Sequence, residues 1–218
     1  FATKIIETEP KIDILIHNAG YSGVFSKEQS VDNIEMTMAV NVYGPFLLTH
    51  MLIDLMKKSA PSKILIVSSK AHSLSLFNPR KTDHLNPINF WFPLYLYSNS
   101  KFAQILVTYE LAKRLNGSGV TVNIIHPGTI NSEIWERAPF PFKIYVSIAR
   151  KFMKTVEQGI QTTLYAALSK NVEGVTGKYF RNCKEGNSVR RTHDEELQKV
   201  MWEESKKIIK LTANDPQI

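Results

Sequence analysis

Apolar residues in this chain switch repeatedly between a short continuous run and a helical spacing, and the alternation predicts a series of strands and helices. Phe1, Ile5 and Ile6 stand at roughly helical spacing until Pro10, and Ile12 to His17 is then a short apolar run. This predicts the tail of a helix followed by a buried strand. Asn18-Ala19-Gly20 closes the strand with turn-forming residues, and a polar loop runs to Ser30. From Val31 to Ser59 a broad apolar face (Ile34, Met38, Val42, Phe46, Ile53) predicts a long helix. Gly44 and Pro45 weaken its interior, so it should kink there or begin after them. Lys63 to Ser69 reads as a second buried strand, and Lys70 to Pro93, with three prolines, as a loop. Tyr97 to Leu115 is helical in spacing and ends at Asn116-Gly117-Ser118-Gly119. Val120 to His126 gives a third strand, closed by Pro127-Gly128. The aromatic and proline-rich stretch 129–154 is expected to be a flap with some helix. A helix over Thr155 to Ser169, a short strand over Gly174 to Phe180 and an amphipathic helix over Asp194 to Lys210 complete the chain.

Strands that are apolar throughout and alternate with helices imply an α/β fold with a parallel sheet covered on both faces. No linker or repeat divides the chain, so residues 1–218 are expected to form one domain. In such folds ligands bind beyond the carboxyl ends of the strands. Those ends carry Asn18-Ala19-Gly20, Ser68-Ser69 and Pro127-Gly128, which should converge on one rim.

Composition narrows the function. A chain of 218 residues with 43% hydrophobic and 22% charged residues can bury one ordinary core. The net charge of +7 attracts anions, but the basic residues are scattered in pairs, with no zinc spacing and no aromatic RNA motif. No nucleic-acid partner is expected. Cys183 is the single cysteine and the six histidines are dispersed, so no metal site is expected either. No apolar run approaches the roughly 18 residues that span a bilayer.

The candidate chemistry lies in Tyr97-Ser98-Asn99-Ser100-Lys101. On a helix, Tyr97 and Lys101 are one turn apart and share a face. An ammonium beside a phenol favours the phenolate, so Lys101 is expected to lower the Tyr97 pKa and make it a proton-transfer group. A solvated helix face produces the same spacing by chance, and the flanking motifs decide between the two.

Asn18-Ala19-Gly20, Asn41-Val42-Tyr43-Gly44, Val67-Ser68-Ser69, Tyr97-Ser98-Asn99-Ser100-Lys101 and Pro127-Gly128 together resemble the short-chain dehydrogenase/reductase family in content, order and spacing. The resemblance covers nearly the whole chain. Ser-Ala-Pro-Ser-Lys at 59–63, Ser-Ser-Lys-Ala-His at 68–72 and Gly-Val-Thr-Gly-Lys-Tyr-Phe at 174–180 resemble the retinol dehydrogenase branch more narrowly. It implies a Rossmann-type doubly wound sheet, an NADP cofactor (NAD being the alternative), and an apolar alcohol interconverted with its aldehyde or ketone. The flap over 129–154 would lie on the substrate side. The resemblance makes Tyr97 the acid/base, Lys101 its partner and a ribose ligand, and Ser69, in preference to Ser68, the hydrogen-bond donor to the substrate oxygen. Asn41 becomes the fourth catalytic member, its backbone carbonyl holding a water that links Lys101 to solvent. Pro45 has no N–H to offer that carbonyl, which is therefore expected to be free for the water. Asn18, Ala19 and Gly20 would pack beneath the adenosine side of the cofactor. Pro127, Gly128 and Ile130 would line the nicotinamide, and Ser132 would donate a hydroxyl hydrogen bond. His17 stands where the family usually has another Asn. His72 and His126 are read as packing or polar-rim residues. The aromatic run Phe90 to Tyr95 offers apolar surface beside the reacting centre, although core packing or a membrane surface accounts for it equally.

The family's Gly-rich turn, where helix-terminal N–H groups take the pyrophosphate, is not found in these residues. The chain has no initiator Met and opens as though within a helix. The expectation is that about two to three N-terminal strands precede it in a longer protein, with any membrane anchor. The strand at Ile12 to Ile16 should then present an open hydrophobic edge, and this length alone should be poorly active. An intracellular location is expected, cytoplasmic or on the endoplasmic reticulum or a mitochondrion. The rival readings are a non-catalytic relic of the family and a steroid or fatty-carbonyl reductase. Composition and motif say nothing of oligomeric state.

Overall fold

The computed structural model describes residues 1–22, 28–90, 92–130 and 153–218. The flap over 129–154, Ser132 and Trp91 therefore fall wholly or largely outside the described residues. Among the described residues five strands form one sheet in the order β1 (Ile14–His17), β2 (Ser62–Val67), β3 (Val120–His126), β4 (Lys178–Arg181) and β5 (Lys184–Gly186). The first four are parallel and β5 returns antiparallel to β4. This is a Rossmann-type α/β sheet. The short hairpin strand β5 was not anticipated, because Lys184-Glu185-Gly186 has no apolar pattern to announce it.

Ser-Lys-Ile-Leu-Ile-Val and Val-Thr-Val-Asn-Ile-Ile-His are buried along almost their whole length, as strands covered on both faces must be. The register pairs Ile16 with Leu65 and Val67 with Ile125, so the three strands end on a common rim. β1 lies at the edge of the described sheet, and Ile16 on it is 41% exposed.

The helices are α1 (Ala2–Thr8), a single turn α2 (Met36–Met38), α3 (Gly44–Lys58), the short α4 (Thr82–Leu85), α5 (Pro93–Arg114), α6 (Val156–Leu168) and α7 (Glu195–Ile208). The boundaries follow end chemistry. Pro93 occupies the first turn of α5, where its missing N–H costs nothing. Thr155 and Gln158 form a reciprocal capping box on α6, and the Asp194 carboxylate caps α7.

The long helix expected from Val31 is corrected in two ways. Residues 31–33 form a turn with Asn33 at φ 58°, and helix begins only at Met36, after the Glu35 carboxylate accepts from the Thr37 and Met38 N–H groups. Between α2 and α3, Ala39–Tyr43 is a π-helical segment, closed by the Gly44 N–H donating to Ala39 O. The stretch 70–93 is also not wholly loop. It holds a 3₁₀ turn, Lys70–Leu74, capped by Ser69, as well as α4.

One core lies between the sheet and α3, α5 and α7, around Ile53, Phe102, Leu106, Met201 and Trp202. A smaller one lies between the other sheet face and α6, around Leu65, Ile125, Ala166 and Phe180. Met36–Lys58 is long and apolar enough to cross a membrane by length and composition, yet Met38, Ile53 and Met56 are fully buried in the first core.

Candidate active site

Four elements deliver the site. The end of β2 places Ser68 and Ser69, the first half of α5 presents Tyr97 and Lys101, the π segment carries Asn41, and the loop after β1 carries Asn18, Ala19 and Gly20. One turn of α5 puts Tyr97 and Lys101 on the same face, with the Lys101 ammonium 5.7 Å from the phenol ring centre. The Ser69 hydroxyl hydrogen-bonds the Tyr97 phenol, in the sense that favours the phenolate. Its Oγ also accepts from the Ala71 N–H at 3.2 Å, which fixes the rotamer. Ser68 is buried, and its hydroxyl has no partner among the described residues. The structure thus brings Ser69, Tyr97, Lys101 and Asn41 together.

The electrostatics differ from expectation. Burial holds the Tyr97 phenol above its ordinary pKa, and the Ser69 hydrogen bond only partly offsets this. Lys101 does not pull it down. That ammonium is itself buried, among neutral acceptors, and its pKa falls from 10.5 to about 8. It donates to Val67 O at 3.0 Å and to Gln104 Oε1 at 3.3 Å. Desolvation is the largest influence on both groups.

Asn41 acts through its side chain as well as its carbonyl. Its Oδ1 accepts from the Tyr21 N–H at 2.7 Å, and its Nδ2 donates to Tyr21 O at 2.8 Å and to Ser100 Oγ at 2.9 Å. The amide thereby ties the loop after β1 to α5. The Asn41 carbonyl, expected to be free for water, accepts from Gln104 Nε2 at 3.0 Å. A side-chain donor thus sits on the carbonyl that Pro45 leaves without its i+4 N–H.

Asn18, Ala19 and Gly20 are exposed along the rim. A Cβ built on Gly20 would lie 3.6 Å from Lys101 Nζ, so this strand end adjoins the Tyr-Lys pair. Gly128 has φ +97°, a backbone conformation that favours glycine, while a Cβ there would meet only the flexible end of the Lys154 side chain. Ile130 pairs with Lys154 across a β-bridge, and its side chain fills the space a Cβ on Gly159 would need.

Gln104 and His72 were missed as contributors. His72 Nδ1 donates to Ser69 O at 2.6 Å and its Nε2 accepts from the Val189 N–H at 3.2 Å, so a neutral imidazole braces the Ser69 backbone from behind. Gln104 falls three residues after Lys101, and the spacing 97, 101, 104 along one helical face was the available signal.

Burial also keeps His17 and His126 neutral, each with its pKa lowered from 6.5 to about 4. His17 Nε2 pairs with Thr49 Oγ1 at 2.9 Å. Between pH 6.5 and 4 the unfolded chain binds more protons than the folded one, so stability falls on acidification through that window. Each histidine contributes on the order of 3 kcal/mol at the acid end. Denaturant midpoints at pH 7 and pH 4.5 should therefore separate strongly. His17→Gln should narrow the separation, and an unchanged one would remove His17 from the account.

A family model described as short chain dehydrogenase matches residues 1–78. Human retinol dehydrogenase 14 is 38% identical over 215 residues, covering 97% of this chain and 62% of the relative. Dehydrogenase/reductase SDR family member 13 of Bos taurus is 38% identical over 211 residues, covering 95% of this chain and 55% of the relative. The chain thus spans about three fifths of the length of the relatives it matches. Among solved structures, an uncharacterized protein from Mycobacterium paratuberculosis superposes with a TM-score of 0.72 at 26% identity, covering 96% of this chain and 71% of that one. A Pseudomonas aeruginosa RhlG/NADP active-site complex superposes with a TM-score of 0.61 at 25% identity, covering 82% and 68%. Sheet order, strand-end motifs and these likenesses agree: the chain is similar to the short-chain dehydrogenase/reductase family and, within it, to retinol dehydrogenases.

Proposed function

We propose that this chain carries the proton-transfer half of an NAD(P)-dependent oxidoreductase that interconverts an apolar alcohol and its aldehyde or ketone. The observation that carries this reading is the convergence of Tyr97, Ser69 and Lys101 on one rim, with Asn41 tying the next strand end to the same helix. The residues fit the nicotinamide-ribose end of such a cofactor. Lys101 has three N–H donors and two recorded acceptors, and it faces the side-chain-free Gly20. When bound, the nicotinamide supplies or accepts the hydride. The chain does the rest: Tyr97 exchanges a proton with the substrate oxygen, Ser69 donates a hydrogen bond that holds that oxygen, and Lys101 places positive charge beside the phenol. NADP is the favoured cofactor, as in the RhlG complex. Phe90, Phe92 and Leu94 are each more than 40% exposed just before Tyr97, which suits an apolar substrate such as a retinoid.

Turnover by the protein at its natural length, on retinal and on a steroid ketone with NADPH and with NADH, tests the reading. Retinal with NADPH should be the best pair. A preference for the steroid ketone would overturn the substrate class, and no turnover with any pair would overturn the enzyme reading.

A further inference from the structure

Among the described residues Lys101 is the one charged group buried at the site, so what surrounds its ammonium decides how it behaves. Of its three N–H groups, one goes to Val67 O on β2 and one to Gln104 Oε1 on its own helix. Gln104 is 4% exposed, and its amide turns both ends to use: Oε1 accepts from Lys101, and Nε2 donates to Asn41 O at 3.0 Å. Asn41 lies in the π segment, and the residue four places on, Pro45, has no N–H for its carbonyl. The amide thus meets a backbone carbonyl at one end and a cation at the other. An amide polarised in this way is a better acceptor for the ammonium than an isolated one.

We propose that Gln104 is a positioning residue that stands between Lys101 and the Asn41 carbonyl in place of solvent, holding the ammonium on the Tyr97 face of α5. The consequence for catalysis rests on the function proposed above; the placement does not. An amide accepts at oxygen and donates at nitrogen, but it passes no proton along unless it becomes an imidic acid. Proton exchange at Lys101 therefore does not run through the Gln104 amide to the Asn41 carbonyl. Tyr97 is the titratable side chain with a recorded contact to Lys101, and no Asp or Glu among the described residues is recorded as its partner.

Two substitutions of similar size separate this role from mere packing. A cavity of about 20 Å³ beside Gln104, also lined by Asn41, Pro45 and Thr108, gives both some room. Gln104→Met removes the acceptor and should lower the Lys101 pKa by about one unit or more, whereas Gln104→Glu supplies a carboxylate and should raise it by a similar amount. The readout is the Lys101 side-chain NMR titration, assigned by loss of the signal in Lys101→Arg. Shifts of opposite sign support the proposal. Titrations that coincide in all three folded proteins, or shift the same way in both variants, overturn it. In the natural-length protein, the pH dependence of kcat/KM should move with Lys101 in the same order. Shifted titrations without any turnover would retain the placement of Gln104 and reject the oxidoreductase reading, so the two failures are distinct.

Discussion

Tyr97→Phe should lower kcat of the natural-length protein by roughly 10²–10⁴-fold while leaving KM within a few-fold, because it removes one oxygen and nothing that shapes the site. The ring stays on α5, Ser69 keeps its rotamer through the Ala71 N–H, and Lys101 keeps both recorded acceptors. The raised pKa of Tyr97 adds a direction to this expectation. At neutral pH the phenol is protonated and ready to give its proton to a carbonyl oxygen, so reduction should be efficient there. Oxidation needs the phenolate and should gain rate as pH rises. Steady-state kinetics in both directions, for the native protein and the Phe variant, would check this. A loss under tenfold would assign the proton to another group.

Trp202→Ala should be the most destabilising single change in α7. Trp202 is fully buried, edge-on to Phe46 at 4.8 Å, near the His50 ring at 5.3 Å, and beneath the Arg114 guanidinium at 4.6 Å. Truncating a buried tryptophan costs about 3–5 kcal/mol, a large share of the roughly 5–15 kcal/mol that holds a domain folded. The melting temperature should fall by roughly 10 °C or more, since each kcal/mol moves a domain of this size by about 2–4 °C. Trp202→Phe keeps a ring against Phe46 and should cost less. Equal melting temperatures for the Ala variant and the native chain would show that α7 does not anchor the core.

The strands and the catalytic helix were legible because their signal is local. β3 matches its apolar run at both ends, and α6 and α7 start where Thr155 and Asp194 offer cap oxygens. That Ser69 and Asn18-Ala19-Gly20 lie at neighbouring strand ends was legible from the apolar runs, and the grouping of Asn41, Tyr97 and Lys101 with them came from the family resemblance. What lay beyond the sequence was set by tertiary context. The π segment depends on how Asn41 must face Tyr21 and Ser100, residues distant in the chain. The sign of the Tyr97 shift depends on how completely the fold dries the pair, which spacing does not report. Gln104 looked like an ordinary helix residue until the fold brought Asn41 to its amide.

The π segment at Ala39–Tyr43 also makes a prediction about tolerance to insertion and deletion. An α-helix turns about 100° per residue, and a π turn accommodates one extra residue within a single turn. Deleting a residue from 39–40 would join α2 to α3 with about 100° less rotation between them, with Pro45 now inside the joined helix. Such a protein would have lost its aim: the bonds from Asn41 to Tyr21 and Ser100 would be disturbed, and the strap between β1 and α5 would open. The irregularity is therefore a register pin, and a library of single-residue deletions across this helix should lose function here before it loses solubility.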